Sequence, residues 1–283
     1  MMNVDVSRDT TRIPGLEDCI VVGESMLEAL RETLDIGYMK NGIYLLPNLF
    51  TTGNLLCGFS SVIASINGQY VQAAAAILLA VVLDGLDGKV ARLTNSASAF
   101  GVEYDSLADV LSFGMAPCLL LYAWTLHFMG YVGWVAAGIF VICGALRLAR
   151  FNVQAMTVPQ SYFTGLPIPA AAGVVASAVL LSQQLYGELE IVEPGWQLSI
   201  VVTVICLALL MVSKVRYESL KRLRLRRAHV IPVGVALVTI LLISALMPAL
   251  ALFLIFFGYA LSGPIEALLR WRKPKEEVAT VEQ

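Results

Sequence analysis

Apolar runs of membrane-crossing length follow one another from about residue 49 to residue 269, and few polar residues interrupt them. A helix needs roughly 20 mainly apolar residues to cross the hydrocarbon of a bilayer. Inside lipid the backbone must satisfy its own hydrogen bonds, so repeated runs of this length are read as helices. Eight are legible, at about 49–67, 70–92, 102–126, 130–151, 166–186, 196–214, 229–247 and 249–269. The expected fold is an all-α integral membrane protein, a polytopic helix bundle of about eight transmembrane helices. Only Met247-Pro248 divides the last pair, which leaves a seven-span map as the alternative. Composition agrees: 58% of the chain is hydrophobic and 14% charged, whereas about a quarter of a soluble domain is charged.

Charge placement orients the bundle, because Lys and Arg near span ends collect on the cytoplasmic side. All 19 fall on one side of the eight-span map. They lie before the first span, at Lys89 and Arg92, at Arg147 and Arg150, in the block from Lys214 to Arg227 and from Arg270 to Lys275. The opposite loops carry none, so both termini are placed in the cytoplasm. The basic block is most simply a topology anchor, with anionic headgroups as its possible contact; it gives no support to a nucleic-acid partner. Residues 1–40 lack the short apolar core of a cleavable signal, and Leu27–Leu34, "LEALRETL", reads as an amphipathic helix. Cys57, Cys118, Cys143 and Cys206 fall in spans and Cys19 in the N-terminal arm with no C-x-x-C pair, which speaks against a disulfide framework or a zinc site.

Against this background the stretch from Leu83 to Val110 stands out. Asp84 and Asp87 lie three apart at the end of the second span, and Asp105 and Asp109 four apart at the start of the third. Each spacing puts two carboxylates on one helix face, and the turn between the spans brings the two faces together. Acids inside a span are costly and mark function by default. Four at close range cannot all stay ionised without cations. Oxygen ligands with no Cys or His beside them suit Mg²⁺ or Mn²⁺, and two such ions would suit in-line displacement at phosphorus. Gly85, Gly88, Ala91 and Gly101 clear volume beside the acids, although Gly85 taken alone reads more simply as a helix-packing contact. Asn48 and Thr52 enter the first span on one face as hydrogen-bonding groups, Asn48 alternatively as a cap after Pro47. Arg147 and Arg150, three apart at the end of the fourth span, suit a carboxylate or phosphate; snorkelling to the interface is the plainer reading. Asn152, Ser112 and Gly165-Leu166-Pro167 are further candidates for an acceptor pocket. An ion-coupled transporter is the rival from another class; it would place acids near mid-membrane within inverted repeats, and no repeat is visible. A noncatalytic scaffold is a third reading.

The run Asp84-x-x-Asp87-Gly88-x-x-Ala91-Arg92, followed after eight residues by Gly101-x-x-x-Asp105-x-x-x-Asp109, resembles the signature of the CDP-alcohol phosphotransferases at every specified position. "YLLPNLFTTGNLLCGF", "DSLADVLSFGMAPC", "GALRLARFNV" and "FTGLPIPAAAG" are similar to one branch, the membrane-type phosphatidylserine synthases. The H-x-K-x-x-x-x-D motif of the other, phospholipase D-like type is absent, and His127 and His229 are isolated.

That resemblance implies transfer of a phosphatidyl group from CDP-diacylglycerol to L-serine with release of CMP, in a homodimer at a prokaryotic inner membrane with its site on the cytoplasmic face. It implies a metal site of Asp84, Asp87, Asp105 and Asp109, with Asp109 also the general base, and a nucleotide site of Gly88, Ala91, Gly101 and Arg92, to which Asn48 and Thr52 are added. Glycerol 3-phosphate, inositol phosphate and choline remain alternative acceptors. The chain then divides into an arm (1–42), a catalytic core of five spans (43–190), three C-terminal spans (191–270) and a tail (271–283).

Overall fold

A computed structural model describes residues 45–94, 98–155, 163–187, 194–217 and 246–272. Apart from Leu45 these residues belong to the second of two compact units, Leu46–Gln283. Helix α1 (Leu45–Ile66) turns through Asn67-Gly68 into α2 (Tyr70–Leu93). Helix α3 (Ala99–Asp109) runs through a π-helical segment, Val110–Met115, into α4 (Ala116–Trp124), and a 3₁₀ turn (Leu126–Met129) leads to α5 (Tyr131–Ala155). The two-residue strand β1 (Phe163–Thr164) precedes α6 (Ile168–Tyr186) and α7 (Pro194–Val212). Strand β2 (Arg216–Tyr217) pairs antiparallel with β1, and α8 (Pro248–Arg272) closes the described chain.

Seven helices among the described residues are long and apolar enough to cross a membrane, α3 and α4 together making one. They match seven of the eight expected runs. All but the last two residues of the expected span at 229–247, the amphipathic segment 27–34 and most of the C-terminal tail lie outside the described residues. The surface has the character of a membrane protein: Leu56, Phe59, Leu79, Trp134, Ile142, Leu209 and Leu254 all face outward. In water such a continuous apolar exterior would be an aggregation hazard; in lipid it is solvated.

Helix α6 is the centre of the bundle and packs against α2 and α8. Its small residues make this possible. Ala170, Ala171, Ala172, Gly173, Ala176 and Ser177 are buried, and short side chains let helix backbones approach closely where no hydrophobic effect drives association. At Gly173 a Cβ would run into the ring of Phe256 on α8.

The third span widens at Val110–Met115, just after Asp109. Pro117 supplies a physical reason: it cannot donate to the carbonyl of Phe113, and its ring crowds that carbonyl in a regular α turn. A π turn relieves the crowding, and such single turns recur at functional sites. Ahead of the π segment the span carries its aspartates; within it Phe113, and beyond it Ala116, Leu120 and Leu121, are buried in the core.

A clamp holds the base of α6. Gly165 has φ +81, its N–H donates to Val215 O at 2.8 Å, and Leu166 N–H donates to Leu210 O at 3.1 Å. A Cβ at Gly165 would strike the Met211 carbonyl, so glycine is required for both its backbone angle and its closeness.

Candidate active site

Ser98 begins α3, its Oγ accepting from Gly101 N–H at 2.9 Å. This cap starts the helix so that Asp105 and Asp109 meet Asp84 and Asp87 at the end of α2. One carboxylate oxygen each from Asp84, Asp105 and Asp109 lies within 4.8 Å of the others. The Asp84 carboxyl is within hydrogen-bonding reach of Asp109, and that of Asp87 within reach of Asp105. All four expected aspartates therefore converge, and carboxylates this close need positive charge among them. Asp87 and Asp109 are buried, at 5% and 7% exposure.

The residues fit a divalent ion. Asp105 Oδ1 is buried and has no hydrogen-bond partner among the described residues, which is costly unless something else satisfies it. The three clustered donors are all hard oxygens, the ligand type that Mg²⁺ and Mn²⁺ take.

Helix α1 supplies polar partners that the sequence reading missed. Thr51 Oγ1 donates toward Asp87 Oδ2 at 3.1 Å, and Asn54 Nδ2 donates to Asp109 Oδ1 at 3.3 Å. The available signal was the three-residue spacing of two polar side chains inside an apolar span. Of the residues expected there, Thr52 meets Tyr104 Oη at 3.0 Å. Asn48 lies against Gly101, where a Cβ would approach its Oδ1 to 3.3 Å. Asn48 and Gly101 thus form one small recess with Tyr104 nearby.

Gly85 borders open space, with nothing within 4 Å of a built Cβ, and Gly88 has only the tip of Arg92 at 3.9 Å. Among the described residues, no neighbour approaches Gly85 closely enough to require glycine as a packing contact. Both glycines leave the face of α2 beside the acids clear. Arg92 folds back along α2, its Nε donating to Gly88 O at 2.7 Å, and Ala91 beside it is half-buried.

The two arginines of α5 part company. Arg147 is 8% exposed, its Nε has no hydrogen-bond partner among the described residues, and its charge lies within electrostatic reach of Asp109, Asp84 and Tyr259. It points into the bundle, so snorkelling is not its state. Arg150 instead donates to Val212 O at 2.8 Å and caps the end of α7. Asn152 Nδ2 donates to Ser106 Oγ at 2.8 Å and ties α5 to α3 beside Asp105. Ser112 is fully buried, donating to Asn54 O at 2.9 Å across a contact where Gly58 has no room for a Cβ. It joins α1 to the π segment and does not line an open pocket. Tyr259 on α8, 5.6 Å from the Tyr217 ring, was also missed; nothing in the local sequence of α8 marks it.

The acids lie at one end of the spans, which removes the main geometric expectation of the transporter reading. The profile of the CDP-alcohol phosphatidyltransferase family matches residues 44–212. The chain is 38% identical over 218 residues to the CDP-diacylglycerol–serine O-phosphatidyltransferase of Helicobacter pylori, covering 76% of this chain and 90% of that protein. It is 32% identical over 250 residues to the enzyme of the same name from Mycobacterium tuberculosis, covering 83% of each. It is 40% identical over 174 residues to the archaetidylserine synthase of Methanothermobacter thermautotrophicus, covering 61% of this chain and 69% of that protein. The aspartates that α2 and α3 bring together all fall inside the matched stretch, and this chain belongs to the CDP-alcohol phosphatidyltransferase family.

Proposed function

We propose that this protein is a CDP-diacylglycerol–serine O-phosphatidyltransferase, moving a phosphatidyl group onto the hydroxyl of L-serine with release of CMP. The observation that carries the reading is the convergence of four aspartates with a buried arginine at one end of a membrane bundle, in a chain matching relatives named for serine over most of its length. Relatives named for two different lipid products share serine as the acceptor, which favours serine over glycerol 3-phosphate, inositol phosphate or choline. The family takes the place of the transport reading.

Asp84, Asp87, Asp105 and Asp109 would hold the divalent ions. Bound there, Mg²⁺ or Mn²⁺ supplies charge neutralisation for a diphosphate and for a departing nucleotide. Asp109, the carboxylate that Asn54 contacts, takes the proton from the serine hydroxyl as that oxygen attacks the β-phosphorus; the bond to the α-phosphate oxygen breaks and CMP leaves. Arg147 holds the serine carboxylate, for which a planar guanidinium is the matching donor. Gly88, Ala91 and Gly101, with Asn48 and Thr52 across from them, leave the recess for the cytidine end, and Arg92 lies at its rim. Lys89, Arg92, Arg147 and Arg150 lie toward the same end of the bundle, which supports a site at the cytoplasmic face by the positive-inside rule.

The test is CMP release from CDP-diacylglycerol by purified protein, with each acceptor in turn. Serine-dependent CMP that stops on chelation and returns with Mn²⁺ or Mg²⁺ is the expected result. CMP driven by another acceptor overturns the substrate, and uptake into sealed vesicles without CMP overturns the chemistry.

A further inference from the structure

Thr51 and Asn54 are three residues apart on α1, and each reaches a carboxylate on a different helix: Thr51 to Asp87 on α2, Asn54 to Asp109 on α3. Together the two side chains tie α1 to both halves of the aspartate set. We infer that Thr51 and Asn54 are positioning residues, which fix the Asp87 and Asp109 carboxylates in the orientation that a divalent ion requires. The inference rests on the metal-site part of the proposed function and does not depend on the acceptor.

The chemistry of both contacts is directional. The Thr51 hydroxyl has one proton and two acceptors in reach, Pro47 O at 3.2 Å and Asp87 Oδ2 at 3.1 Å; an ionised carboxylate is the stronger acceptor. Asn54 is fully buried, and its amide can only present nitrogen to a carboxylate, since its oxygen would meet another acceptor. That leaves Asn54 Oδ1 buried without a partner among the described residues. An apolar side chain of similar size would avoid that loss, so the amide's use lies in what its nitrogen holds. Helix α1 is itself locked in place: Ser112 Oγ donates to the Asn54 carbonyl at 2.9 Å, and Gly58 lets the π segment close on it. The donors are thus mounted on a fixed element, as partners that orient ligating carboxylates must be.

Mn²⁺ binding to the detergent-purified full chain, followed by electron paramagnetic resonance without substrates, tests this directly. Thr51→Val removes the hydroxyl at constant shape, Thr51→Ser keeps it, and Asn54→Leu removes the amide. Loss of a partner that orients a ligand costs about 10- to 100-fold in metal affinity. Thr51→Val and Asn54→Leu are expected to lose that much, with Thr51→Ser within about threefold of the parent. Wild-type affinity in both Thr51→Val and Asn54→Leu overturns the inference, as does equal loss in Thr51→Ser and Thr51→Val, which would mark a packing role. If Asn54→Leu does not fold, the Thr51 pair decides. A parent protein that binds no Mn²⁺ overturns the metal site, and this inference with it, while serine-independent chemistry in the CMP assay would overturn only the acceptor.

Discussion

Asp109 carries both proposed roles, base and metal ligand, and its partner Asn54 and its neighbours Asp84 and Asp105 define its surroundings. Asp109→Asn keeps the shape and removes both the base and a ligand charge, and CMP release is expected to fall by at least the roughly 100- to 10,000-fold that a positioned general base contributes alone. Arg147 separates acceptor binding from chemistry. A hydrogen bond to a charged group contributes about 1.5–3 kcal/mol, so Arg147→Gln is expected to raise the KM for serine by about 10- to 100-fold with a far smaller change for CDP-diacylglycerol. An equal rise for both substrates would remove Arg147 from the acceptor site. The aspartates were legible as a site because a carboxylate in an apolar run has few innocent explanations. Thr51 and Asn54 were not, because Thr and Asn within a span often bond their own helix, as Ser65 does to Ser61 O at 2.8 Å.

At the scale of elements, two glycines decide where helices sit. Gly58→Ala would drive a Cβ into Ser112 on the π segment and lift α1, with Thr51 and Asn54, from the aspartates. Overpacking of this kind costs about 1–3 kcal/mol, and reduced thermal stability in detergent together with weaker Mn²⁺ binding is the expected pair of results. Gly165→Ala tests the clamp at the base of α6. A non-glycine residue at φ +81 facing the Met211 carbonyl stores about 1–3 kcal/mol of strain; a lower unfolding temperature checks it, and an unchanged one would show that the loop relaxes freely. The resemblance marked "FTGLPIPAAAG" as meaningful. What it does locally, holding α6 to the end of α7, follows only from the pairing of β1 with β2 and from two backbone hydrogen bonds. The π turn was equally hidden, since Pro117 announces a missing hydrogen bond without saying how the helix accommodates it.

For the whole molecule, orientation is the property to measure. Leu93, at the acidic end of α2, is 85% exposed and Tyr131, at the start of α5, is 89% exposed. Single cysteines at these positions in a cysteine-free chain are expected to react with membrane-impermeant reagents from opposite sides, Leu93→Cys from the cytoplasm; the reverse pattern would overturn the topology. The apolar runs alone determined the membrane fold, because run length against bilayer thickness needs no tertiary information. The spacing of the four aspartates determined which carboxylates share a helix face for a related reason: three- and four-residue separations set that face before any packing occurs. Tertiary structure decided what those faces meet. Which arginine of α5 turns to the acids, which side chains of α1 hold them, and that Ser112 closes a helix contact depend on interhelical distances of a few ångströms. Those distances are set by small residues on neighbouring helices and by a wide turn in the third span, features that a single helix's sequence pattern does not contain.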